Sequence, residues 1–247
     1  MLLALYSVCL IVGILVGLAG VGGILIPPAL ILLSGLDAHT AMGTALTSLL
    51  ALGVVGTWTY HHMGCIPWRS AVPYFLGGLA AWPGALLNAH IPAGPLVVLL
   101  ACLILFASFC ALRPPRQGGG HGRQSIFWVS PWGIFSIGTV TGILAGLTGA
   151  GGPVLSIPWL ITVGIQPMTA VGMSMPYQIV TSVAGTLGNI QGGHVDFSLL
   201  PSLCGLEIAG FAGGVILARR ITTAMLGRVI GLLCFALGLF LLIRQLC

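Results

Sequence analysis

The sequence predicts an all-α membrane protein: a polytopic transmembrane helical bundle of two inverted homologous repeats, each with one short broken or re-entrant segment. Composition is the first reason. Of the 247 residues, 57% are hydrophobic and only 4% are charged, whereas a soluble domain carries roughly 25% charged residues. The apolar runs are continuous, which excludes the alternating pattern of a lipid-facing β-barrel. A surface with so few charges must face lipid.

A glycine-rich motif that occurs twice is the second reason. The residues GLAGVGG at 17–23 return as GLTGAGG at 146–152. The repeat offset, which carries Gly17 onto Gly146, holds without a gap beyond the motif, as far as Gly84 and Gly213. A constant offset of this kind indicates two copies of one unit. We therefore predict a first transmembrane repeat over residues 1–112, a cytoplasmic linker over 113–126 and a second transmembrane repeat over 127–247.

Each repeat is predicted to hold five apolar segments in the same order. The first of them, 2–19 and 127–147, is long enough to cross ~30 Å of hydrocarbon. The second, 24–36 and 153–164, is too short to span comfortably. The other segments are predicted at 40–60, 71–87 and 96–112 in the first repeat, and at 168–187, 199–217 and 225–243 in the second. Pro176 is expected to bend or break its helix.

The basic residues predict the topology. All eight are Arg, and they lie in short loops and in the linker, which is the positive-inside pattern rather than a nucleic-acid-binding face. With the linker in the cytoplasm and an odd number of segments in each repeat, the second repeat is inverted. Every Arg except Arg244 then lies on the cytoplasmic side, and both termini lie outside. The inversion of the second repeat also holds if the first two segments of each repeat form a hairpin that enters the membrane and returns, because two crossings and none give the same sidedness. It fails if only the short segment is re-entrant.

Inverted repeats with broken helices recur in secondary transporters. At a helix break, free backbone N–H groups and the positive end of the helix dipole can bind an anion without Lys or Arg. No Arg falls at the centre of a predicted span, so a charged substrate would need amides and hydroxyls. The candidate substrate-binding residues are Gly20, Gly22, Gly23, Thr44, Thr47, Ser48, Gly149, Gly151, Gly152, Ser174, Tyr177 and Gln178. The alternative is that these glycines and hydroxyls only pack and join helices.

Glu207 is the one acidic residue inside a predicted span. A charge there is costly, so a functional role is the default hypothesis, and the residue is a candidate carrier of a coupling proton. The alternative is a protonated carboxyl that is hydrogen-bonded to a neighbouring helix. The first repeat has Gly78 at the matching position, so the role would be asymmetric.

The few acidic residues argue against an enzyme. Asp37, Asp196 and Glu207 are the only acids, so the paired groups of acid–base catalysis are missing and no catalytic residue is assigned. His61, His62 and Cys65 have a loosely metal-like spacing, but a solvated loop is favoured over a metal site. We expect no cofactor, a small anionic substrate, contact with the lipid bilayer and no nucleic acid. A homo-oligomer is left open.

The ordered motifs resemble the sulfite exporter TauE/SafE family, also called the TSUP family. A short first helix ends in G-x-x-G-x-G-G, a T-A-x-G helix follows, and a G-x-[VI]-[DP]-[WF] loop comes next, at 64–68 and again at 193–197. Pro67 stands where an acid is common, so no role is assigned to it. The resemblance implies a multi-pass transporter of the bacterial inner membrane that moves small sulfur-containing or organic anions such as sulfite, organosulfonates or thiosulfate. A non-transporting scaffold or accessory subunit is the alternative.

Overall fold

The computed structural model describes residues 2–112, 130–218 and 223–246, and all the regular secondary structure in these residues is helical. In chain order the helices are α1 (Leu2–Ala19), α2 (Gly23–Ser34), α3 (Ala38–His62), α4 (Trp68–Gly78), α5 (Ala81–Asn88), α6 (Ala93–Leu112), α7 (Pro131–Thr148), α8 (Gly152–Thr162), α9 (Pro167–Gln191), α10 (Leu200–Leu217) and α11 (Thr223–Leu246). The predicted linker and both Arg219 and Arg220 lie outside the described residues.

The helices have the lengths and surfaces of a membrane protein. Among the described residues, α3, α6, α7 and α10 are long and apolar enough to cross a bilayer, and shorter apolar helices accompany them. Large apolar side chains point outward, with Leu3 82% exposed and Trp132 74% exposed. Such side chains are stable on the outside of a bundle only in contact with lipid. The prediction of an all-α polytopic bundle is confirmed.

The helix bounds recur at the repeat offset of the glycine motif. Helices α1 and α7 are each 18 residues long, and they start at the equivalent positions Leu2 and Pro131. Helices α3 and α9 are each 25 residues long, and they start at the equivalent positions Ala38 and Pro167. The duplication of the glycine motif is therefore also a duplication of helices.

Equivalent helices of the two halves make matching contacts. Helix α1 packs on α10, and α7 packs on α4 and α5 in the same way. Helices α3 and α9 cross antiparallel, since Gly43 lies beside Asn189 and Gly56 lies beside Met175. Helices α6 and α11 also run antiparallel, since Gly231 is near Leu112. Antiparallel pairing of equivalent helices is the arrangement expected of repeats inserted in opposite orientations.

Each short helix folds back against the helix before it. Gly22 lies beside Val12 and Leu15 of α1, and the later turns of α2 also pack on α1. Helix α8 contacts α7 in the equivalent way. The first two segments of each half therefore form a helical hairpin. This is one of the two cases in which the second repeat is predicted to be inverted.

Two predicted segments that contain prolines differ from the sequence predictions. The predicted segment 71–87 is two helices, α4 and α5, because Pro83 has no N–H to donate to the carbonyl of Leu79 at the break. Helix α9, in contrast, continues through Pro176, so of the expected bend or break, the break does not occur. Helix α9 packs against helices of both halves, and this packing offsets the one hydrogen bond that Pro176 removes.

Candidate functional site

Two glycines end the first helix of each hairpin. Gly20 and Gly149 have φ values of 71° and 67°, and their amides donate to the carbonyls of Val16 (2.7 Å) and Ala145 (2.9 Å). A residue with a side chain costs about 1–2 kcal/mol in this left-handed conformation. Glycine therefore lets the chain leave the helix and reverse direction at once.

The short helices that follow begin with bare N-termini. Gly22 and Gly151 are the N-cap residues of α2 and α8, and neither helix start has a side-chain cap among the described residues. The first turns are buried, from Gly22 to Ala29 and from Gly151 to Ile157. The first N–H groups of a helix have no partner within it, and the dipole adds a partial positive charge. Two positive helix ends are thus held inside the protein without a counter-charge from a cap.

First-turn residues of both helices, Gly23 and Pro153, line one cavity at the crossing of α3 and α9. The cavity is lined by Val16, Gly20, Gly23, Leu49, Leu52, Gly53, Ala150, Pro153, Val154, Met175 and Gln178. It leaves about 10 Å³ for the centre of a water molecule, which is the space that one water needs. The bundle is therefore closed here, and an anion of several heavy atoms would enter only after the lining side chains move.

Gln178 supplies the polar side chain of this cavity. It is 4% exposed, and its Nε2 donates to Ser182 Oγ at 2.7 Å. Its Oε1 lies 2.9 Å from the point where a Cβ on Gly151 would be. A half-turn of the amide would direct its two N–H donors at the cavity, because the Ser182 hydroxyl can donate as well as accept.

The predicted hydroxyl residues lie around the cavity but do not line it. Their hydrogen bonds are made to other parts of the bundle or to their own helix: Thr44 accepts from the Asp196 amide in the loop before α10 (2.9 Å), Thr47 pairs with Thr186 of α9 (3.0 Å), Ser174 donates to Val171 O of its own helix (2.7 Å), and Tyr177 donates to Gly138 O of α7 (2.6 Å). The Tyr177 ring also lies against Gly152. The structure brings Gly20, Gly23 and Gln178 together at the cavity and places Gly151 beside Gln178. Gly22 faces α1, Gly149 faces Met42, and Gly152 faces Tyr177 instead.

Glu207 is a buried acidic residue that is hydrogen-bonded to α3, one of the helices that line the cavity. It is in the middle of α10 and fully buried, and its Oε1 accepts a hydrogen bond from Ser48 Oγ at 2.9 Å. Its Oε2 has no hydrogen-bond partner among the described residues. Ser48 is the residue before Leu49, which lines the cavity. Helix α1 can pass close by because Gly13 faces the Glu207 backbone.

A polar cluster lies at the end of the bundle where α3 begins. His39 and His194 stack with ring centroids 5.1 Å apart, and Asp37 caps α3 by accepting from the Thr40 amide. Partial burial would raise the pKa of Asp37, but this hydrogen bond and the two nearby histidines hold that pKa below its ordinary value. Hydrogen bonds from the Ser198 hydroxyl and amide likewise lower the pKa of Asp196.

Sequence reasoning missed two buried polar contacts beside the second hairpin. Asn88, predicted to lie in a turn, is the last residue of α5, and it donates to the Leu147 carbonyl at 2.6 Å. Tyr74 is hydrogen-bonded to Ser156 of α8, and its ring stacks on Tyr177 at 4.0 Å. Nothing in the spacing of these residues indicates that they meet, because each pair joins different helices.

The match to known proteins decides the family. The chain matches the family described as Sulfite exporter TauE/SafE over residues 5–241. The chain belongs to the sulfite exporter TauE/SafE family. It is similar to a "Probable membrane transporter protein" of Xylella fastidiosa (strain 9a5c), with 28% identity over 95% of this chain and 92% of the relative. It is also similar to the "Probable membrane transporter protein YdhB" of Bacillus subtilis (strain 168), with 28% identity over 88% of this chain and 89% of the relative.

No solved structure matches the chain significantly. As a member of the TauE/SafE family with several apolar helices able to span a bilayer, the protein is a multi-pass membrane transporter, and the inner membrane is the usual place for it in bacteria. The family match and the helical hairpins agree on the class of protein. The substrate has to be argued from the cavity.

Proposed function

We propose that this TauE/SafE protein is a secondary transporter that exports small sulfur-containing or organic anions, of the sulfite, organosulfonate or thiosulfate type. The observation that carries the proposal is one cavity lined by residues from the buried first turns of two helices whose N-termini have no side-chain cap among the described residues. Such helix ends bind anions through backbone N–H groups and the helix dipole. Gln178 adds a side-chain amide at the same place.

A site of this kind suits transport because it binds an anion weakly enough to release it again. Of the Arg residues in the described ranges, Arg69 lies at the start of α4, and Arg228 and Arg244 lie in α11, so none belongs to α3 or α9. Backbone amides recognise negative charge and size, while a buried Arg would hold an anion as a tight ion pair. An anion bound only by amides can leave again on the other side.

The membrane potential favours export. With the cytoplasm negative, each negative charge moved out gains ~2.3 kcal/mol per 100 mV. Movement in the opposite direction would need a coupled cation, and a proton carried by Glu207 fits this role. Its carboxyl is held by Ser48 of α3 on one oxygen and lacks a partner among the described residues on the other.

The test is flux of radiolabelled sulfite, thiosulfate and a sulfonate in proteoliposomes with an imposed potential. We expect potential-sensitive flux of at least one of these anions, and its absence for all of them would overturn the proposal. Gly22→Val and Gly151→Val should abolish flux but leave membrane insertion intact, because the new side chains fill the space around the helix ends. Gly213→Val is the matched control, since a side chain at that glycine meets nothing within 4 Å.

Thiol labelling tests the predicted topology independently of flux. Cys247 lies outside the described residues, and it should react with an impermeant reagent from the outside. Cys65, in the loop between α3 and α4, should react only after the membrane is opened. Labelling of both from the same side would contradict two inverted repeats with both termini outside.

A further inference from the structure

Asn88 connects three helices beside the second glycine turn. Its Nδ2 donates to the carbonyl of Leu147 at 2.6 Å, and His39 Nδ1 lies 2.9 Å from its Oδ1. Asn88 is fully buried at the end of α5, His39 is in the first turn of α3, and Leu147 is two residues before Gly149. The Asn88 side chain thus links the end of α7 to α3 and α5, and we call these two hydrogen bonds the tie.

The tie has only one hydrogen-bonding arrangement. The Leu147 carbonyl can only accept, so the NH₂ group of Asn88 must face it and Oδ1 must face His39. His39 then donates from Nδ1–H, and it does so whether its ring is neutral or protonated. The last carbonyls of a helix have no partner within it, so Asn88 satisfies a group that would otherwise be left open at the turn.

The first glycine turn has no such tie among the described residues. At the repeat offset, Asn88 corresponds to Leu217, His39 to Met168 and Leu147 to Leu18. Leu217 and Met168 have no polar group of this kind, and both are exposed. The tie is therefore a feature of the second hairpin, added to a backbone that the two halves share.

We propose that Asn88 is a positioning residue that fixes the second glycine turn, with His39 fixing Asn88, so that the N-terminus of α8 is held facing the cavity. The proposal rests on the proposed function, in which that N-terminus binds the anion. Without these hydrogen bonds the end of α7 can move, and the backbone N–H groups of residues 149–152 lose their fixed orientation toward the cavity. The expected consequence is weaker binding of the anion rather than an altered maximal rate.

Hydrogen–deuterium exchange of the peptide covering residues 147–156 measures the turn without any transport. For Asn88→Ala we expect exchange about tenfold faster than in the unaltered protein, as for loss of a buried hydrogen bond. The peptide covering residues 18–27 should be unchanged. Ser108→Ala is the matched control, because it also removes a buried side-chain bond to a carbonyl, that of Gly231 at 2.8 Å, far from both turns.

Asn88→Asp tests the donor itself with nearly the same shape. At about pH 8 a carboxylate cannot donate to the Leu147 carbonyl, and exchange should be as fast as in Asn88→Ala. The carboxylate keeps an acceptor oxygen for His39, so faster exchange reports the lost donor to Leu147.

Flux completes the test in the same variants. We expect Asn88→Ala to raise the half-saturating anion concentration about tenfold and to change the maximal rate less. Exchange at 147–156 that is unchanged in Asn88→Ala, or that is as slow in Asn88→Asp at about pH 8 as in the unaltered protein, overturns the inference. If no anion is transported by any form of the protein, the proposed function fails, while the exchange data still decide whether Asn88 fixes the turn.

Discussion

Two equivalent places in the halves of the molecule are filled in opposite ways. In one, Ser48 of α3 is small and Glu207 of α10 fills the space beside it. In the other, at the repeat offset, Tyr177 of α9 is large and faces Gly78 of α4, where a Cβ would come within 2.9 Å of the ring. The two places have equivalent backbone positions, but the larger side chain of the pair is on α10 at one place and on α9 at the other. One place becomes titratable and the other becomes rigid.

The rigid place belongs to the second hairpin. Tyr177 is hydrogen-bonded to Thr141 at 2.7 Å, and Tyr74, stacked on it, holds Ser156 of α8. At the repeat offset, Ser156 and Tyr74 correspond to Pro27 and Leu203, which have no hydroxyl. Helix α2 is therefore held by apolar packing. We expect the first hairpin to be the more mobile one.

The largest expected difference between the hairpins is at their turn glycines. Gly149→Ala should destabilise the protein more than Gly20→Ala, although both lie at positive φ. A Cβ at 149 would meet the backbone of Met42, whereas one at 20 would meet the methyl end of Val171. Backbone cannot move aside as a side chain can. Thermal unfolding in detergent should show a lower Tm for Gly149→Ala, and equal Tm values would contradict the difference.

The titratable place predicts a change in coupling rather than in stability. Glu207→Gln keeps the shape and can still bond to Ser48, but it cannot carry a proton. Flux driven by a pH gradient should fall by about tenfold or more, while potential-driven flux and Tm stay near those of the unaltered protein. Ser48→Ala, which keeps the carboxyl, is the control and should retain the pH response. Full pH-driven flux in Glu207→Gln would show that the carboxyl is structural.

The rigid place predicts a local effect on α8. Tyr74→Phe removes the hydroxyl that holds Ser156 and keeps the stacked ring, so exchange in the peptide covering residues 152–162 should rise severalfold. Tyr60→Phe is the control, since the Tyr60 hydroxyl has no hydrogen-bond partner among the described residues. If α8 already exchanges as fast as α2 in the unaltered protein, the second hairpin is not the more rigid one.

The sequence could predict what depends on composition and local pattern. The helices follow from continuous apolar runs, the hairpin turns from glycines at segment ends, and the burial of Glu207 from its place inside such a run. The division of segment 71–87 next to Pro83 was not predicted, and Pro176 shows that packing decides whether a proline breaks a helix. Contacts such as Asn88 with Leu147 depend on which helices become neighbours, and one sequence without its fold does not carry that information.

The smallest expected difference lies at the α3–α9 crossing. Thr186 is hydrogen-bonded to Thr47 at 3.0 Å, while the equivalent Thr57 has a buried hydroxyl without a partner among the described residues. The equivalent of Thr47 is Pro176, which has no hydroxyl to offer. Thr186→Val should therefore cost roughly 0.6 kcal/mol, as for an average hydrogen bond between membrane helices. Thr57→Val, which removes only an unpaired hydroxyl, should be neutral or stabilising. Equal losses of unfolding free energy in the two variants would mean that the hydroxyl pair contributes nothing, and that packing alone holds the crossing.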